Sequence, residues 1–218
     1  TVKLPPQDTA NGIYYSYDWA DIHYVVLSSG DSERDGIGQQ QLQWLEQDLS
    51  QTDKKWKIVM IHNPLYSSGT YGSDSTENRV ALSMRQTLGA ILDKYGVDLV
   101  LQGHDHVYSL SKPISSDQIP QQCQIRKQTV NGVETEYFVN PSSPVYLLSG
   151  TAGTQNREVY AEHDPQLYQQ TDSVPQNTAT YSIIQIEADK LTAVYYEYNY
   201  ETDVCTPVYG WGIEKTAD

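Results

Sequence analysis

The chain has 218 residues, a formal net charge of -14 and an isoelectric point near 4.6. A surface of that sign repels nucleic-acid phosphate and anionic lipid, which argues against both as partners. No stretch approaches the ~20 apolar residues of a membrane span, and the length is that of one domain able to bury a sizeable core.

The chain opens TVKLPPQ, with no initiator Met, no basic n-region and no apolar h-region. It is expected to be trimmed or to be part of something longer. GIYYSYDWADIHYVVLSS (12–29) predicts two strands around a turn at Trp19 to Asp21. The second, Ile22 to Leu27, is apolar at nearly every position, as in a strand covered on both faces. In GIGQQQLQWLEQDLSQ, Leu42, Leu45 and Leu49 recur at helical spacing. KWKIVMIHNPL is the next buried strand, stopped by Pro64, and SSGTYGSDS is a loop by composition. Asp74 with Glu77 resembles a capping box that opens a long helix with Val80, Met84, Leu88, Ile91 and Leu92 inward. Gly96 is placed to cap its C-terminus. VDLVLQ is a third buried strand, and it delivers GHDH (103–106).

Strand, helix, strand, helix, strand with apolar runs of this kind indicates α/β layers. Beyond Pro113 the text changes. Residues 115–144 are polar, with an Asn131-Gly132 hairpin signal between RKQTV and VETEYFV. PVYLLSGTAG is another buried strand ending in a small-residue loop. Residues 155–178 are polar and without periodicity, whereas YSIIQIE and LTAVYYEYNY alternate and predict an antiparallel hairpin. The second half is therefore expected to close the core of the first, with no linker and no repeat.

Of five histidines, His62 ends one buried strand and His104 and His106 follow another. Ligands collect at the carboxyl ends of strands in an open α/β sheet, and imidazole suits Zn, Mn and Fe. Spacing alone leaves open whether the three meet at a metal or are unrelated loop residues. His23, in mid-strand, reads as a packed residue, and His163 reads as solvated. Cys123 and Cys205 match no metal or redox pattern. They are read as one disulfide, in preference to two buried thiols. With 18 tyrosines against one phenylalanine in an acidic chain, the composition is that expected of a secreted or cell-surface protein.

VMIHNPLYSSG (59–69) and GHDHVYS (103–109) resemble the last two motif blocks, V-x-x-H and G-H-x-H, of the calcineurin-like metallophosphoesterases, most closely the purple acid phosphatase branch. YYSYDWADIHYVVLSS, QLQWLEQDL, NPSSPVYLLSGTAGT and YSIIQIEADKLTAVYYEYN follow the same order, so the resemblance spans nearly the whole chain. It implies an α/β fold that is part of a four-layer αββα sandwich, with residues 1–218 the C-terminal portion of a single catalytic domain. It also implies two metal ions (Fe, Zn or Mn) that activate the water attacking a phosphate ester. Carried over by motif, His62 and His104 ligate one metal and His106 the other. Asp105, between two ligands, points away or braces the loop, and Asn63 is placed to hydrogen-bond nearby. Tyr66, Tyr71 and Tyr108 are candidates to line the pocket.

The sequence departs from the family in four places. The early Asp block, the G-D-x-x-Y block with its bridging aspartate and the G-N-H block are absent. Asp31 is rejected as the bridge because Arg34 stands where tyrosine belongs and the segment follows the wrong strand. The further histidine expected downstream of the V-x-x-H block is also lacking, and Tyr71 is a candidate to substitute weakly for it. The expectation is a half-site of neutral imidazoles that binds metal weakly or not at all alone, belongs to a phosphate-ester hydrolase when intact, and is inactive by itself. The partner expected is the N-terminal half of that enzyme or a second copy of the chain. The alternative is a non-catalytic binding or surface-interaction domain that keeps the fold. SGTAGT (149–154) is either a backbone approach to substrate or a tight structural turn.

Overall fold

The computed structural model describes residues 2–3, 14–30, 36–72, 79–153, 155 and 157–216. The strand pair predicted at the start forms β2 (Tyr15–Trp19) and β3 (Ile22–Val26), antiparallel about Ala20 and Asp21, with β1 (Val2–Lys3) added outside β2. Helix α1 (Gln39–Ser50) buries Leu42, Leu45 and Leu49, as their spacing requires. β4 (Trp56–Met60) and β5 (Leu99–Gln102) run parallel to β3, with β9 (Val145–Ser149) beside β5. β6 (Val107–Ser111) and β10 (Tyr168–Ser173) complete an eight-stranded sheet, β1-β2-β3-β4-β5-β9-β6-β10. β10 was not predicted: its YQQTDS is an edge strand without alternation, paired among the described residues only to β6.

The long helix appears as α2 (Arg79–Met84), a π-helical turn Arg85–Gly89 and α3 (Ala90–Lys94), ended by Gly96 at φ +60. Met84, Leu88 and Leu92 are buried, as their spacing predicts. The wider turn also brings Arg85 inside, where its Nε–H donates to the Leu65 carbonyl at 2.6 Å and its guanidinium stacks 4.5 Å from the Tyr66 ring centre. The proposed Asp74–Glu77 cap lies outside the described residues.

β7 (Gln124–Val130) and β8 (Val133–Val139) form the hairpin at Asn131-Gly132, both with positive φ. β11 (Thr178–Glu187) and β12 (Lys190–Asn199) form the second predicted hairpin. β13 (Val204–Glu214) joins them into a second sheet, β11-β12-β13-β8-β7, by pairing parallel to β8. One core, with Leu45, Leu88, Val59 and Val100, fills the space between the helices and the first sheet. The other, with Trp56, Leu99, Tyr195 and Trp211, fills the space between the sheets. The layers are therefore helix, sheet, sheet. Among the described residues no helix packs on the outer face of the second sheet, where Tyr181, Ile183 and Val208 are exposed.

The expected disulfide does not form. Cys123 and Cys205 are both free thiols, and Cys205 is exposed with its sulfur 3.0 Å from the Tyr181 hydroxyl. His23 is a packed residue of a charged kind. Its Nε2 lies 2.8 Å from Asp48 Oδ2 and its Nδ1 2.6 Å from Asp18 Oδ1, while the Ser16 hydroxyl donates to Asp48 at 2.9 Å. Both ring nitrogens face carboxylates, and only the imidazolium donates from both. Burial by itself lowers the His23 pKa. The hydrogen bonds and charges of Asp48 and Asp18 outweigh it, and the pKa stands above the ordinary value.

This lock ties β2 and β3 to α1, and its pH dependence has a definite sign. A raised folded pKa gives stability that is full below the unfolded value, about 6.5, and lost as pH rises through the folded pKa. His23→Gln is expected to cost roughly 3 kcal/mol near pH 6, because Asp48 is left buried without its cation. The gap between the wild type and the variant should narrow at higher pH. Thermal denaturation across that range measures it, and a gap independent of pH would show that the ring is neutral.

Candidate metal centre

β4 and β5 are paired in parallel with Met60 opposite Leu101, and the pairing continues past both strands. Ile61 N–H donates to the Leu101 carbonyl at 3.0 Å and Gly103 N–H to the His62 carbonyl at 2.9 Å. A Cβ at Gly103 would sit 3.1 Å from His62 Nδ1, so glycine lets the ring lie against the backbone. The next residue, His104, has φ +72. That left-handed conformation costs a residue with a side chain about 1–2 kcal/mol, and such strain concentrates at functional sites. The His62 and His104 rings meet nearly perpendicular, at 85°, with His104 Nδ1 3.3 Å from His62 Nε2.

Two nitrogens each ~2.0–2.1 Å from a zinc-sized ion at a tetrahedral angle stand roughly 3.3–3.4 Å apart. The 3.3 Å separation in the His62–His104 pair matches that of two ligands on a single cation. Metal ligation needs neutral imidazole. Burial, followed by the neighbouring His62, holds the His104 pKa below its ordinary value. His106 is set differently. Its Nδ1 lies 2.6 Å from the Gln155 carbonyl, to which Nδ1–H donates, so in the neutral ring Nε2 is the nitrogen with the lone pair. A ligating histidine is commonly oriented by such a bond on its other nitrogen. Among the described residues no group of three or more His, Cys, Asp or Glu side chains gathers around one point. The structure thus brings His62 and His104 together and leaves His106 outside that pair.

Asp105 braces the adjoining loop. It is buried, and its Oδ2 accepts from the Ser67 hydroxyl at 2.7 Å and from Tyr71 N–H at 3.2 Å. Gly69 makes room for it, since a Cβ there would lie 2.2 Å from the same oxygen. The loop so held puts the Tyr71 ring 4.2 Å from that of His104, centre to centre. A cavity of about 140 Å³ opens between these two rings and α2, lined also by Asn63 and Pro64. Asn63 N–H donates to the Ser29 hydroxyl at 3.2 Å.

Tyr66 and Tyr108 are not beside the histidines at the surface. Tyr66 packs against Tyr146 in the helix–sheet core, where burial pushes its pKa up to about 12. Tyr108 packs against Tyr195 between the sheets. His163 is half-buried rather than solvated, with Nδ1 2.6 Å from the Tyr160 carbonyl and its ring near Tyr168. The loop after β9 is a structural turn at Gly150, which has φ +76 and where a Cβ would strike the Thr180 hydroxyl. Asp31 lies outside the described residues. Sequence reading missed Arg157, whose guanidinium stands 5.6 Å from the Tyr71 ring centre. No local pattern marks it, because a fold contact brings it to the histidines.

A family model described as calcineurin-like phosphoesterase matches residues 5–108. Human acid phosphatase type 7 is 32% identical over 160 residues, covering 67% of this chain and 34% of that protein. The Fe(3+)-Zn(2+) purple acid phosphatase 12 of Arabidopsis thaliana is 31% identical over 144 residues, covering 65% and 27%. Among solved structures, purple acid phosphatase PPD1 from yellow lupin seeds superposes with a TM-score of 0.63 at 17% identity, over 93% of this chain and 33% of that one. The chain spans about a third of the length of the curated relatives it matches. Motifs, fold and relatives agree: the chain belongs to the calcineurin-like metallophosphoesterases, on their purple acid phosphatase-like branch.

Proposed function

We propose that this chain supplies the imidazole side of a two-metal centre whose intact form hydrolyses phosphate esters. The observation that carries the reading is the 3.3 Å approach of His62 Nε2 and His104 Nδ1 at the ends of two parallel strands. On this reading the two hold one ion and His106, through Nε2, holds the other. The iron and zinc in the name of the Arabidopsis relative support a two-metal cofactor. Bound metal supplies Lewis acidity and a water nucleophile usable near neutral pH. The chain's own residues set the geometry: Gly103 and the left-handed His104 aim the rings, the Gln155 carbonyl fixes the His106 tautomer, and Asp105 holds the Tyr71 loop.

All three ligands are neutral, and among the described residues no carboxylate joins the His62–His104 pair. We read the chain alone as a half-site. Zn or Mn titrated calorimetrically should bind weakly, through His62 and His104, with the heat lost in His104→Ala. Aryl phosphate turnover by the chain alone should be absent. Tight two-site binding, or turnover abolished by His104→Ala, would overturn the half-site. The non-catalytic alternative gains if even the longer parent chain binds no metal.

We also read the chain as one portion of a larger catalytic domain, supported by its coverage of a third of its relatives. The apolar runs at 22–27, 57–61 and 97–101 have strands on both sides. One open edge is β11, which among the described residues pairs with β12 alone. Ile184 and Ile186, on its inward side, are only partly buried, and Ile184 lines a cavity of about 350 Å³ together with Leu101 and Leu147. Such an edge is an association site, and its natural occupant on this reading is a strand of the remaining domain. The chain alone should therefore elute as a dimer or larger species in size-exclusion chromatography with light scattering. A stable monomer that unfolds cooperatively would show that these residues form a complete domain.

A further inference from the structure

Two loops meet over His104, and both are pinned. The first runs from Ser67 to Tyr71 and is held by Asp105. The second follows β9. Arg157 N–H reaches the His106 carbonyl at 3.4 Å, the Gln155 carbonyl contacts His106 Nδ1 at 2.6 Å, and Tyr160 N–H donates to the Ser68 carbonyl at 2.8 Å. The pinned backbone places the Arg157 side chain above Tyr71, whose ring in turn lies against His104.

We propose that Arg157, steadied on the Tyr71 ring beside the His62–His104 pair, is the contact for the phosphoryl oxygens of an anionic ligand. The inference rests on the metal-site reading above and adds to it a residue that binds the substrate rather than the metal. With a net charge of -14, the chain repels a phosphate ester at long range, so local cationic charge has to reverse the field where the ester lands. A guanidinium is charged at every working pH, and its planar fork matches two phosphoryl oxygens. Tyr71 brings no positive charge; it serves as the platform. A cation over a tyrosine at an exposed site gains only about 0.5–1 kcal/mol, so the side chain leaves that ring at small cost to meet a ligand. Arg157 is itself exposed, which leaves it free to do so.

The test titrates the full chain with phenylphosphonate, a non-hydrolysable phosphoryl probe, followed by 31P line broadening with and without saturating Zn. Arg157→Gln is expected to weaken the probe about ten- to hundred-fold, the range for losing a charged hydrogen-bonding group. Zn affinity and melting temperature should not change, and Arg157→Lys should recover part of the loss. Probe affinity equal to wild type in Arg157→Gln overturns the proposal. A matching fall in melting temperature or Zn affinity also overturns it, because the residue would then be structural. Failure of the metal-site reading is a separate outcome, seen as a Zn isotherm that ignores His104→Ala. The metal-free arm then decides on its own: probe binding that depends on Arg157 upholds the contact, and binding that does not depend on it refutes it.

Discussion

The site depends on the parallel pairing of β4 with β5. Adjacent strands lie ~4.8 Å apart, and the Gly103 N–H to His62 carbonyl bond carries that spacing one residue past the sheet. His62 is thereby level with Gly103, and His104 is already a step beyond. To bring its ring back toward His62 the backbone turns left-handed at His104, at a cost that the buried strands on either side can hold. A one-residue slip of β5 would send its side chains to the opposite face and separate the rings. The register is fixed by burial on both faces: Val59 and Val100 lie in the helix–sheet core, Ile58 and Leu99 in the core between the sheets.

Where burial and periodicity carry the information, the sequence was readable. Ile22 to Leu27, the Leu42–Leu45–Leu49 stripe and the Asn131-Gly132 turn all became the elements their residues require. Elements defined by partners were not. β13 carries Pro207, Gly210 and Gly212, residue types that weaken strands, yet the glycines lie in the middle of the second sheet. A Cβ at Gly210 would strike the Thr135 hydroxyl, and one at Gly212 would strike the Tyr137 ring, so the neighbouring strand dictates both. β6 follows the histidines as VYSLS, and its serines are buried because Ser109 binds Ser68 and Ser111 binds Tyr146 N–H. That satisfaction is visible only in three dimensions.

The same division runs through the site. The histidines were legible because two motif blocks end two apolar strands. Tyr108 is close to His106 in sequence but not close to the pocket, because β6 turns its ring into the space between the sheets. Arg157 lies far along the chain from His104 and joins it only through two pinned loops.

The charge around the pair has a consequence for how metal and anion relate. Three imidazoles and one guanidinium form a neutral-to-positive patch on an otherwise acidic chain. Asp105, the carboxylate closest in sequence, is turned inward to Ser67 and Tyr71. Neutral ligands leave the full charge of a bound cation uncompensated, which weakens its retention but strengthens its pull on phosphoryl oxygens. An anion bridging that cation and Arg157 would supply the negative charge that the imidazoles lack. Each ligand then raises the affinity of the other by the same factor, as linkage demands. On the proposed reading, metal and phosphoryl group bind this chain as a cooperative pair, and a carboxylate brought by another part of the protein would weaken that mutual dependence by holding the metal itself.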